Sequence, residues 1–167
     1  ADADAQPDDA LKQFIAGVAV HYRGHQHAMT QDEKRRDYEK ALAHLTLAKA
    51  AYPHVSRLWL YLAISHYRLG QQAPAEQAIN EAVRVDKGTD ADIYYSRSEI
   101  FHRKDLDAAI ADLRTYQKIM IENVKKGAYS APHKEARVGN MLHHLEAVRR
   151  GDVSPDAREL FDPIEEG

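Results

Sequence analysis

The residues best suited to chemistry are ten histidines, several of them clustered. His21 and His25 stand four apart, one helical turn, and His27 follows in the run "HYRGHQH". Imidazoles at this spacing can converge on zinc or copper from one helix face. No carboxylate completes a recognised ligand motif, and "HExxH" is absent. His143 and His144 are adjacent, so on a helix they diverge by about 100°. Metal binding through His21, His25 and His27 is therefore a lesser alternative, and no cofactor is expected. Ser65 beside His66, and Ser98 near His102, supply nucleophile–base combinations. Covalent catalysis also needs an activated base and a stabilised transition state. Neither a nucleophile elbow nor a phosphate-cradling glycine loop is present; Gly17, Gly24 and Gly70 form none. Asp90 and Asp92 read as a helix start rather than as a catalytic carboxylate pair. With no cysteine in the chain, disulfides and thiolate chemistry are excluded. The expectation is a protein that is not an enzyme.

Charge narrows the partners. The 167 residues carry a formal net charge of -3, which disfavours a protein built to coat nucleic acid. Basic runs at Lys34–Arg36 and Arg149–Arg150 are diluted by nearby acids. The longest apolar run, "FIAGVAVHY", is too short for a bilayer span. Neither nucleic-acid binding nor membrane insertion is expected. The opening "ADADAQPDDA" is small and polar, as signal-peptide removal would leave it, so a periplasmic or otherwise extracytoplasmic location is expected, with the cytoplasm as alternative.

The elements that carry these residues are helical almost throughout. In "DALKQFIAGVAVHY", Leu11, Phe14, Ile15, Val18 and Tyr22 share one face and are the expected core face. Thr30 precedes Glu33 by three residues, a capping box for the next helix. That helix carries Tyr38, Ala41, Leu42, Leu45 and Ala48 and should end near Pro53. "SRLWLYLAISHYRLG" turns Trp59, Leu62, Ala63 and His66 or Tyr67 inward, and Gly70 is placed to terminate it. Pro74 fits the first turn of the following helix, which repeats Ala75, Ile79 and Ala82 on one face.

Shifting the chain by 34 residues aligns Ala41, Ala75 and Ala109, and also Leu45, Ile79 and Leu113. Trp59 falls on Ile93, Tyr67 on Phe101, and Ala51 on Val85 and Ile119. Asp37, Gln71 and Asp105 align where the second helix of each unit should begin. Small and large residues recur in register, which amphipathicity alone does not produce. A helix–turn–helix unit of this length, with Trp59, Leu62, Gly70, Ala75, Ala82 and Pro53, resembles the tetratricopeptide repeat. Ala63, Ile79 and Lys87 depart from that pattern, and Lys104 stands where Gly70 stood. The resemblance implies an all-α right-handed solenoid of antiparallel helix pairs. About three units are expected, at residues 8–55, 56–89 and 90–123, with capping helices over 131–161. In the cap, Val138, Met141, Leu142, Leu145 and Val148 should cover the last unit, and "PDARELF" should add about two turns. A flexible segment over residues 1–7 and an acidic tail over 162–167 are expected around one domain, 8–161.

The resemblance further implies an interaction scaffold whose concave groove is lined by the first helix of each pair. In the central unit those residues are Arg57, Leu60, Tyr61, Ile64, Tyr67 and Arg68. In the next they are Tyr94, Tyr95, Ser98, Phe101 and His102. Tyrosines and arginines suit a protein or peptide segment with aromatic or acidic groups. The lysine–arginine–asparagine clamp of the chaperone-tail subclass is not reproduced by Arg57, Arg68 and Arg97. An alternative is a self-assembling subunit whose groove holds its own or a neighbour's "FDPIEEG" tail, giving a homo-oligomer.

Overall fold

The computed structural model describes residues 7–24, 30–128 and 132–154, and these are helical with short connections and no strand. Seven helices follow one another among them: α1 (Pro7–Gly24), α2 (Gln31–Lys49), α3 (Ser56–Arg68), α4 (Gln72–Asp86), α5 (Ala91–Phe101), α6 (Leu106–Lys125) and α7 (Pro132–Arg150). They fall into two compact units, one ending at Lys87 and one beginning at Gly88.

In the first unit α1 packs on α2, α2 on α3, and α3 on α4, while α1 also reaches α3. Gly17 lies against Leu45 and Gly24 against Tyr38, so the chain runs antiparallel through the first hairpin. The repeat register determines the core. Ala41, Leu45 and Ala48 of α2 and Ala75, Ile79 and Ala82 of α4 are all fully buried. Thr30 caps α2 through the predicted box: its hydroxyl accepts from the Glu33 backbone N–H, and Glu33 returns a carboxylate to the Thr30 N–H. Gly70 ends α3 at φ +72°. The Gln71 N–H bonds the His66 carbonyl and the Gly70 N–H bonds that of Tyr67, the paired bonds of a Schellman turn.

Two expectations are corrected here. Asp37 does not open the second helix of its unit: α2 starts at Gln31, and Asp37 sits buried inside it. Ten residues separate Gln31 from Ala41, against three from Gln72 to Ala75, so the extra sequence of the first unit has lengthened its second helix. The core face of α1 is also different. Leu11, Ile15 and Tyr22 are exposed, while Ala10, Gly17, His21 and Gly24 are buried. The close approach of α2 selects the small residues of α1, because a Cβ at Gly17 would stand 2.7 Å from Leu45 Cγ.

In the second unit α5 packs on α6 and α6 on α7. Ala109, Ile110, Leu113 and Tyr116 of α6 and Ile93 and Ile100 of α5 are all buried. Val138, Met141 and Leu145 of α7 are buried, as predicted for a cap, with Leu142 and Val148 at its margin. Asp90 and Asp105 cap α5 and α6 by accepting from Asp92 and Ala108 backbone N–H groups, so the Asp90–Asp92 pair is a helix start. Residues 1–6, "PDARELF", the tail 162–167, His25 and His27 lie outside the described residues.

Candidate functional site

On α3 the side chains of Arg57, Tyr61, Ile64 and Arg68 recur every three or four residues and share one face. Arg57, Ile64, Tyr67 and Arg68 are half-buried, whereas Leu60 and Tyr61 are buried. Tyr61 is covered by Tyr22 of α1: their hydroxyls are 3.2 Å apart and their rings meet edge-on at 5.8 Å. Arg57, one turn earlier on α3, also hydrogen-bonds Tyr61. Burial pushes the Tyr61 phenol above its ordinary range, the Tyr22 hydrogen bond adds to this, and Arg57 opposes it. Arg68 sits over the Tyr67 ring at 5.9 Å.

Beneath this face lies a buried histidine. His21 Nδ1 is 3.1 Å from Ser65 Oγ, and its ring packs against Tyr22, Tyr38 and Tyr61 at 5.0–5.8 Å. Both His21 and Ser65 are closed to solvent. The serine–histidine combinations suggested by sequence do not form. Ser65 turns to His21 instead of His66, and His66 meets Gln71 Oε1 at 2.6 Å. Ser98 donates to the Tyr95 carbonyl, while His102 Nδ1 meets that of Glu99. Among the described residues no cluster of three histidine or acidic side chains is placed to hold a metal. No helix there is long and apolar enough to cross a membrane.

The second unit places its predicted residues differently. Tyr94 and Ser98 are buried, and Tyr95, Phe101 and His102 are half-buried. Tyr95 packs on Tyr116 at 6.1 Å, and Lys134 of α7 lies over both rings while bonding Asp92. Burial, with the charges of Asp92 and Glu135, pushes the Tyr116 phenol up to about 12. Lys104 stands over Phe101 at 5.8 Å. Arg97 grips Asp112 with two hydrogen bonds of 2.8 and 2.5 Å and stacks over Tyr94. Arg23 and Asp37 form a similar fork in the first unit, both contacts at 2.6 Å. Neither pair was apparent in sequence, although in both the arginine and aspartate lie 14 or 15 residues apart across a hairpin.

No protein-family model matches the sequence, and no curated protein does. A solved structure does match: the first TPR of Spaghetti (RPAP3) bound to an HSP90 peptide, SRMEEVD. The match has 19% identity and a TM-score of 0.64, and it covers 87% of this chain and 96% of that one. The paired antiparallel helices, the 34-residue register of buried alanines and the capping α7 agree with that likeness. This chain has the tetratricopeptide-repeat fold.

Proposed function

We propose that the protein is a non-catalytic interaction scaffold that holds a peptide or protein segment on the exposed faces of α1 and α3. One observation carries this reading: α3 presents Arg57, Ile64 and Arg68 along one half-exposed face, braced by the Tyr22–Tyr61 pair. Rigid rings beside guanidinium groups suit binding, since they lose little conformational freedom and can fork a carboxylate. The RPAP3 structure of the same fold holds a peptide, which supports the class of ligand. The buried Ser65–His21 pair has no access for a substrate, which favours binding over hydrolysis.

The reading is tested by selecting binders from a displayed library of random 16-residue peptides on the full chain. Recovered peptides should lose at least tenfold in affinity when Arg57 and Arg68 are both changed to alanine. Failure to recover any peptide sensitive to that change would overturn the reading.

A further inference from the structure

Three bulky residues of α1, Leu11, Ile15 and Tyr22, face solvent, and that inversion of the expected core face bears on the shape of the partner. Leu11, Ile15 and Tyr22 are 46%, 60% and 55% exposed, with Val18 half-buried between them. At about 100° per residue they fall within a narrow sector of the helix and form a ridge about 16 Å long. They lie roughly opposite Gly17 and Gly24, which face α2. A contiguous apolar ridge of this kind marks an interaction surface. It is continuous with α3, because its last member, Tyr22, is in contact with Tyr61.

We infer that this ridge receives an amphipathic α-helix whose flank carries an acidic side chain directed to Arg57. The inference rests on the scaffold reading and specifies the conformation and charge of the ligand. Backbone chemistry separates a helix from an extended segment. An extended peptide needs partners for its N–H and C=O groups. From Leu11 to Val18 those groups of α1 are paired within the helix, and Leu11, Ile15 and Val18 have no polar side-chain atom to donate or accept. Tyr22 has its hydroxyl on Tyr61. A helical ligand satisfies its own backbone and needs only side-chain packing, which a ridge with one bulky residue per turn provides. Charge sets the flank. From Ser56 to Arg68, α3 contains two arginines beyond its histidine and no acid. Arg57 lies one turn from Tyr61, at the edge where the ridge meets α3. On α1, Asp9 is ion-paired with Lys12. On the α3 side the flank is therefore basic, and the complementary ligand is acidic there.

The peptides recovered from the 16-residue library supply the test, read by fluorescence anisotropy on the full chain. Apolar residues should recur at i, i+4, i+7 or i+8, and i+11, with an acid on one flank. A central proline in the peptide, or Ile15→Glu in the protein, should each weaken binding at least tenfold, with far-UV circular dichroism and melting temperature of the protein unchanged. Arg57→Glu should weaken binding similarly, and replacing the peptide acid by lysine should restore it. Peptides that depend on Arg57 and Arg68 but tolerate both proline and Ile15→Glu would overturn the helical inference and leave the scaffold reading standing. Peptides insensitive to all of these changes would overturn both.

Discussion

Gly17 of α1 lies so close to Leu45 of α2 that a Cβ at position 17 would stand 2.7 Å from Leu45 Cγ and 2.8 Å from Cδ2. Leu45 is completely buried and cannot swing away. Gly17→Ala gains about 1 kcal/mol of helix propensity, but overpacking costs about 1–3 kcal/mol, so a net loss of about 1 kcal/mol is expected. Gly139, inside α7, has nothing within 4 Å of the added atom. Gly139→Ala should stabilise by about 0.5–1 kcal/mol. Urea unfolding of the two variants should move the midpoint in opposite directions.

Gly70 has open space around its missing side chain but adopts φ +72°. Its cost of substitution is conformational, not steric. Gly70→Ala should lose about 1 kcal/mol, since an L-residue is strained in the left-handed region. Gly70→Asn should lose less, and calorimetry of the three proteins should rank them in that order.

The two arginine–aspartate forks should respond unequally. The Arg97 side chain is 27% exposed and that of Arg23 is 50% exposed. Removing Asp112 strands a half-buried guanidinium, so Asp112→Ala is expected to cost about 3 kcal/mol. Asp37→Ala should cost less, because Arg23 regains water readily. Equal losses in chemical denaturation would contradict this ranking.

The same carboxylates titrate with opposite sign. The Arg23 hydrogen bonds hold Asp37 below the usual carboxylate range, so its stabilisation is present above the unfolded pKa and is lost as pH falls through the native one. Burial pushes Asp112 up against the pull of Arg97, so its ionisation opposes folding at neutral pH and protonation relieves that cost. In unfolding midpoints measured from pH 6 down to pH 2, Asp37→Asn should flatten the acid loss of stability. Asp112→Asn should steepen it.

Alkaline stability should depend on Tyr116. Its phenol is pushed up to about 12, while an unfolded tyrosine ionises near 10. The folded state holds this proton more tightly, so the stabilisation is complete below the unfolded value and is lost as pH rises through the native one. Tyr116→Phe should remove that alkaline limb, as followed by circular dichroism from pH 9 to 12. An unchanged limb would show that another group controls it.

Sequence alone determined the repeat, the caps and the packing of the second helices. Ala41, Ala75 and Ala109, with Leu45, Ile79 and Leu113, are fully buried because a 34-residue register must place equivalent residues on equivalent helix faces. Thr30, Asp90, Asp105 and Gly70 act locally, so their roles were legible from a few neighbours. Only the tertiary structure decided which face of α1 is inside. Hydrophobic periodicity weights bulky residues and favoured Leu11, Ile15 and Tyr22 for the core. The distance between α1 and α2 instead requires glycine at position 17, and that distance is a property of two helices together. The buried His21–Ser65 contact and the two arginine–aspartate forks were hidden for the same reason: their partners meet across helices, and no single-helix period records such a meeting.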